Sequence, residues 1–453
     1  MTAPAPAPRG PDPVLRWGLW PLGAGLVVWV GGALAGLPPQ VDPMADALGG
    51  EVDVAADPAA DARALLRKGP WVQDVRPDGA TILWETDLPA RSVVAFAPAA
   101  APAPAAAGAP GAPLPAERRA TGRTYVVRYL MPLQDLDPEG AYVHAVRLAG
   151  LRPGTVYTYR VESAGTAPFG AGGTFRTAPA GPADFEAVLF GDNRGAAARF
   201  ASVVAAARAA RPELVVATGD LVGEGSSDAD WQTFFDVAGA LLRDVPFYTT
   251  LGNHDVYKYG LPRFEAYFAA PPPAVPYAVR RAFTADACCV YAFDWGGAHF
   301  VMLDSNPGAG TADLQAEWLA RDLAAARARG AAPILAFMHH PMFTLADHEP
   351  ALALRAKWFP ILRDGGVAAV VAGHNHVYER FVVGGLQVIT SGGAGAPTYE
   401  VNAAPERAEA VWRKAASERL HVIRLHVRAA GTAAAEVVDA ETGAVIDAFT
   451  LGR

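Results

Sequence analysis

At 453 residues, 51% of them hydrophobic, the chain exceeds the ~100–200 residues of a single domain, so two domains are expected. A net charge of −8 excludes the basic footprint of a nucleic-acid binder, and any anionic substrate must be met by local charges. The two cysteines, Cys288 and Cys289, are neighbours, which excludes a disulfide framework and predicts that they pack as small apolar residues.

The first element is Trp17 to Leu37, "WGLWPLGAGLVVWVGGALAGL", 21 residues without a charge. At ~1.5 Å per residue a helix of that length just crosses ~30 Å of hydrocarbon. Arg9 and Arg16 precede it and acidic residues follow, so the positive-inside rule predicts export of the remainder. Six glycines and Pro21 argue against a buried core helix, and Ala33-Leu34-Ala35 also fits a cleavage site. Residues 1–37 therefore read as a membrane anchor or a signal peptide, and 38–68 as an Ala-rich linker.

From Trp71 the pattern is strand-like. "WVQDVRPDGATILWET" alternates around a Pro-Asp-Gly turn, and "YVHAVRLAGLRPGTVYTYRVES" adds further short strands. An all-β sandwich over 69–180 is predicted. Ala97 to Ala116 consists of Ala, Pro and Gly apart from Leu114 and cannot build a core, so 97–122 reads as a disordered insertion.

After Pro182 the texture changes, and apolar runs of four or five residues end five times in clusters of Gly, Asp, Asn or His. "AVLF" precedes "GDNRG", "LVVAT" precedes "GDLVGEG", "PFYTT" precedes "LGNHD", "ILAFM" precedes "HHP", and "AAVVA" precedes "GHNH". Such runs suit strands buried on both faces and joined by crossover helices, for example 198–210, and ligands bind at the carboxyl ends of those strands. One Asp or Asn after a strand is ordinary turn chemistry. The histidines change that reading, because six of ten (His254, His339, His340, His348, His374, His376) fall in or beside these clusters. His144, His299, His421 and His426 sit in strand-like stretches and are expected to be structural. Carboxylate, amide and imidazole ligands together suit Zn, Mn or Fe rather than calcium.

The ordered set "GDNRG", "GDLVGEG", "GNHD", "HHP" and "GHNHVYER" resembles the calcineurin-like metallophosphoesterases, and within them the purple acid phosphatase branch, over roughly 69–453. The resemblance implies a four-layer α/β sandwich with mixed sheets and flanking helices over 183–453, preceded by a fibronectin type III-like sandwich. It implies two divalent metal ions: Asp192 and His376 on the first, Asn253, His339 and His374 on the second, Asp220 bridging both. It further implies His254 as general acid with Asp255 orienting it, His348 as a second catalytic histidine, and Arg194 and His340 on the substrate. Tyr378 to Arg380 would fix the last turn. Beyond the resemblance, the stretch "SGGAGAPTYE" (391–400) is expected on the pocket rim, with Tyr399 in contact with substrate. One position departs from the branch. Gly223 stands where the purple enzymes have the tyrosine that ligates iron(III), and Arg194 stands where the wider family supplies a histidine. No purple chromophore is expected, and the first ion keeps Asp192, Asp220 and His376, supplemented by water or Glu224. The expected activity is hydrolysis of phosphate monoesters. A phosphodiesterase on the same site, or a non-catalytic surface binding protein, are the alternatives.

Overall fold

A computed structural model describes residues 51–52, 54, 63–99, 117–127, 141–162, 171–258, 260–268, 289–306 and 311–452. The expected anchor or signal at 17–37 and the stretch 100–116 lie outside the described residues. Among the described residues no helix is long and apolar enough to cross a membrane.

The N-terminal part consists of β1 (Glu51–Val52), β2 (Leu66–Gln73), β3 (Gly79–Thr86), β4 (Val93–Pro98), β5 (Arg118–Thr121), β6 (Arg123–Val127), β7 (Ala141–Ala149), β8 (Val156–Val161) and β9 (Gly172–Arg176). They form two antiparallel sheets, ordered β1-β6-β7-β3-β2 and β5-β4-β8-β9. Alternation explains the core between them: Ile82 and Trp84 of one sheet share an apolar cluster with Phe96, Tyr157 and Phe175 of the other. Three boundaries differ from the sequence reading. Glu51–Val52 pairs with β6 inside the expected linker, and β2 begins at Leu66. The edges of the expected insertion are also strand, because β4 runs to Pro98 and Val93 pairs with Thr121 of β5. Alternating apolar side chains such as Phe96 anchor those edges although the Ala/Pro stretch between them gives no pattern.

The C-terminal part runs β10 (Phe185–Phe190), α1 (Ala197–Ala209), β11 (Leu214–Ala217), α2 (Asp228–Leu242), β12 (Phe247–Thr249), α3 (Leu261–Tyr267), β13 (Tyr291–Trp295), β14 (Ala298–Met302), α4 (Thr311–Ala328), β15 (Ile334–Phe337), α5 (Leu352–Asp364) and β16 (Ala369–Ala372). It closes with β17 (Tyr378–Val383), β18 (Leu386–Ser391), β19 (Arg413–Ser417), β20 (His421–Arg428), β21 (Thr432–Asp439) and β22 (Val445–Leu451). Two mixed sheets result, ordered β12-β11-β10-β20-β21-β22 and β13-β14-β15-β16-β18-β17-β19. Strands β10, β11 and β12 are parallel to one another, as are β14, β15, β16 and β18.

The continuous apolar runs bury both faces of each sheet. Leu189, Val216, Phe337 and Val371 meet in the core between the sheets. The opposite face of the first sheet, with Val188, Phe190 and Val215, packs on Phe200, Trp231 and Phe234 of α1 and α2. The opposite face of the second, with Val301, Ala336 and Val370, packs on Trp318 and Leu323 of α4 and Trp358 of α5. Helix, sheet, sheet and helix therefore stack in four layers, and the parallel strands of both sheets end at one rim.

The described residues of the two parts belong to one compact unit. The Trp71 ring of β2 packs at a tilt against Phe235, centroids 4.5 Å apart, and its Nε1–H donates to the Tyr267 carbonyl at 2.8 Å. Cys289 corrects the cysteine expectation: it is buried but disulfide-bonded, and Cys288 is the only other cysteine in the sequence.

Candidate metal centre

Each sequence-predicted ligand lies at the carboxyl end of a parallel strand: Asp192 after β10, Asp220 after β11, Asn253 after β12, His339 after β15, and His374 and His376 after β16. Asp192, Asp220 and His374 adopt positive φ of 61°, 53° and 68°, a conformation unfavourable for non-glycine residues that persists where surrounding structure enforces it. The enforcement comes from close approach. A Cβ at Gly373 would lie 2.3 Å from Asp192 Oδ2, and one at Gly252 would lie 2.1 Å from the Asp220 nitrogen. Gly373 and Gly252 thus let neighbouring strand ends touch.

Among the described residues two clusters of metal-binding capacity result, Asp192 with Asp220 and His376, and His339 with His340 and His374. In the second cluster the tautomers follow from the backbone. His339 Nδ1 is 2.7 Å from the Thr218 carbonyl, which only accepts, so Nδ1 carries the hydrogen and Nε2 a lone pair. That lone pair faces Asn253 Oδ1 at 3.0 Å and Asp220 Oδ1 at 3.4 Å, and His374 Nδ1 lies 3.0 Å from the same Asn253 oxygen. Burial holds His339 and His374 well below the ordinary histidine pKa, so neither supplies a proton at neutral pH. His339 Nε2, Asn253 Oδ1 and Asp220 Oδ1 then converge as acceptors beside the His374 imidazole, a set of ligand atoms that fits a cation.

His340 differs from its neighbours. Ser305 Oγ accepts the His339 and His340 amides at 3.0 and 2.8 Å, which occupies both of its lone pairs. Its own hydrogen therefore goes to His340 Nδ1 at 3.0 Å, leaving His340 with hydrogen on Nε2. That makes His340 a donor, as a substrate contact requires, rather than a third imidazole ligand.

In the first cluster His376 Nδ1 donates to the Pro397 carbonyl at 2.7 Å, and its Nε2 lone pair faces Asp192 Oδ1 at 3.7 Å. Burial, and then the neighbouring Asp220 carboxylate, push the Asp192 pKa well above the carboxylate range. A buried anionic pair of this kind demands positive charge. Arg194 reaches it, with Nε 3.2 Å from Asp220 Oδ2 and Nη2 3.4 Å from His376 Nε2.

The remaining predicted residues divide. His254 sits beside the centre with its amide on Asp220 Oδ1 at 2.9 Å, but Asp255 does not orient it. Instead Asp255 accepts the amides of Asp220, Leu221 and Gly252, each at 2.9 Å, and pins two strand ends together. The partner of His254 Nδ1 is the Gly223 carbonyl at 2.7 Å, at the position that lacks the family tyrosine. Glu224 is engaged by Lys258 Nζ at 2.8 Å and does not supplement the first cluster. His348 does reach the rim: its ring stacks on His374 at 4.4 Å, and its Nε2 lies 3.3 Å from the Tyr399 hydroxyl. Tyr399 in turn stacks 4.2 Å from His376.

The "YER" segment does not fix its own turn. Tyr378 and Arg380 bind Asp447 at 2.7 Å each, whereas Glu379 accepts the Thr344 hydroxyl at 2.6 Å and the Leu345 amide at 3.0 Å. Asn375, between the two motif histidines, accepts the His348 amide at 2.9 Å. Glu379 and Asn375 together hold the loop that carries His348. The sequence assigned no role to Ser305 or Asn375, and it placed Pro397 only within the rim stretch 391–400, not as the partner of His376. Ser305 had a signal, since "HFVML" before "DSNPG" is a sixth apolar run ending in polar residues.

Residues 186–378 match the family model of the calcineurin-like phosphoesterases, and this segment is a calcineurin-like phosphoesterase domain. Several curated relatives are named as acid phosphatases. Purple acid phosphatase 15 of Arabidopsis thaliana is 26% identical over 291 residues, 58% of this chain and 54% of that protein. Tartrate-resistant acid phosphatase type 5 of Homo sapiens is 28% identical over 166 residues, 32% of this chain and 48% of that protein. The chain spans about half the length of the curated relatives it matches. Among solved structures, purple acid phosphatase PPD1 from yellow lupin (Lupinus luteus) seeds aligns with a TM-score of 0.67 at 18% identity, covering 85% of this chain and 75% of that one. PhoD aligns with a TM-score of 0.54 at 12% identity, covering 85% of this chain and 88% of that one. At these identities the two structures speak for the fold.

Proposed function

We propose that the chain is an exported metal-dependent phosphoesterase that hydrolyses phosphate monoesters. One observation carries this: six side chains from five strand ends converge with their ligand atoms close together, on a calcineurin-like phosphoesterase domain. The relatives named as acid phosphatases support the monoester preference.

Asp192 and His376 would hold a first divalent ion, Asn253, His339 and His374 a second, and Asp220 would serve both. Such ions, Zn, Mn or Fe, supply positive charge to phosphoryl oxygens and acidify water. The protein's own residues do the rest. The carbonyls of Thr218 and Pro397 fix the imidazoles so that their free nitrogens face inward, as outer partners of metal ligands do. Because Gly223 holds His254 Nδ1–H, an added proton resides on Nε2, from which His254 protonates the leaving oxygen. His340 Nε2–H and His348 contact the phosphate at the rim. With glycine at 223 there is no phenolate, and no purple colour is expected.

Export is supported by the uncharged run 17–37 and by the disulfide at Cys289, since disulfides persist in oxidising compartments. The two antiparallel N-terminal sheets around one core support the fibronectin type III-like reading.

The test compares p-nitrophenyl phosphate with bis-p-nitrophenyl phosphate, using the full-length chain and Asn253→Ala as control. Faster turnover of the monoester, lost in the variant, is expected. Faster turnover of the diester would make this a diesterase on the same site, and turnover of neither would leave a binding protein.

A further inference from the structure

The two clusters are unequally equipped. In the second, Asn253 Oδ1, His339 Nε2 and His374 Nδ1 meet beside Asp220 Oδ1 with no lysine or arginine among them. In the first, Arg194 donates to Asp220 Oδ2 at 3.2 Å and to His376 Nε2 at 3.4 Å, two of the atoms on which an ion there would be held. The contact is well inside the protein: the Arg194 side chain is 21% exposed and that of Asp220 1%. A guanidinium keeps its charge at any working pH and offers a rigid fork of donors. The first cluster also lacks reserves, because Gly223 brings no side chain and Glu224 is committed to Lys258.

We propose that Arg194 stands in for the first ion. The resting protein then holds one tightly bound divalent cation, on Asp220, Asn253, His339 and His374, and the Arg194 guanidinium supplies the second positive charge across Asp220. A further ion at Asp192 and His376 must displace the guanidinium or share Asp220 and His376 with it, so it binds weakly. A phosphoryl oxygen approaching from that side meets the guanidinium donors. The inference rests on the phosphoesterase reading above.

Zinc stoichiometry tests it without reference to turnover. The full-length chain is stripped with chelator, titrated with zinc by calorimetry, and assayed for zinc by elemental analysis after gel filtration. Wild type should retain about one zinc per chain, with a second bound at least roughly tenfold more weakly, the scale on which a neighbouring group alters metal affinity. Arg194→His, which places an imidazole two residues after Asp192, should retain about two, and Arg194→Ala should strengthen the weak site. Asn253→Ala should lose the tight ion. Two equally tight zinc ions in wild type would overturn the inference while leaving the phosphoesterase reading standing, and no zinc in any form would overturn both. The wild-type stoichiometry decides even if a variant misfolds.

Discussion

Lys68 and Glu85, where the N-terminal sheet meets α2, are as deeply buried as Asp192 and Asp220 at the strand ends. At the seam every charge has its opposite. Lys68 Nζ lies 2.6 Å from Glu85 Oε1 and 2.8 Å from Asp228 Oδ1, Arg263 reaches the same Asp228 oxygen at 2.8 Å, and the Tyr267 hydroxyl donates to Glu85 Oε2 at 2.7 Å. His144 in the same part is held between Thr86 Oγ1 at 2.7 Å and Ser92 Oγ at 2.9 Å. At the strand ends the acceptors His339 Nε2, Asn253 Oδ1 and Asp220 Oδ1 face one another, and carboxylates adjoin with Arg194 as their cationic neighbour. The first region is complete as folded, whereas the second is completed by positive charge from outside the chain. That difference separates a structural ion network from a working site more sharply than burial does.

Substitutions should separate the two regions accordingly. Asn253→Ala should lower phosphatase activity by about 10⁴-fold, several kcal/mol of charge stabilisation, while the chelated protein melts no earlier than wild type. An early melt would mean that Asn253 holds the fold rather than an ion. At the seam Glu85→Ala should do the reverse. It leaves the buried Lys68 with Asp228 alone and the Tyr267 hydroxyl without its acceptor, and should cost about 3 kcal/mol in denaturant unfolding, with activity unchanged below the transition. His254→Ala should reduce kcat by about 10²–10³-fold without changing zinc content, as expected of a proton donor that is not a ligand. The smallest effect concerns pH. Burial pushes the His144 pKa down to about 3, so between pH 6.5 and 3 the unfolded chain takes up a proton that the folded chain refuses. The stability is present above pH 6.5 and is lost on acidification, by at most ~1.4 kcal/mol per pH unit for one group. His144→Gln should flatten that slope in chelated protein, and an unchanged slope would assign it to other groups.

The ligands were legible because each motif is local: an apolar run and a polar cluster, with a glycine between them in four of the five, lie within ten residues, and the strand end places them. Their partners were not. Ser305 serves His340 from 35 residues away, and Gly223 reaches His254 across 31 through a carbonyl that every residue possesses. Asp255 was misread for the same reason, since adjacency to His254 says nothing of the three amides that claim its carboxylate. In the N-terminal part alternation revealed the strands, but Trp71 and Ile82 face different cores, and sequence cannot say which face meets α2. The Cys289 disulfide was dismissed because neighbouring cysteines rarely pair.

The central claim is that the convergent lone pairs at the strand ends are there to hold a catalytic cation. Chelation followed by zinc or manganese add-back, with p-nitrophenyl phosphate hydrolysis and bound metal followed on the same samples, tests it most directly. The account predicts that hydrolysis disappears with the metal and returns in proportion to the tightly bound ion. Hydrolysis that survives removal of all metal would contradict it.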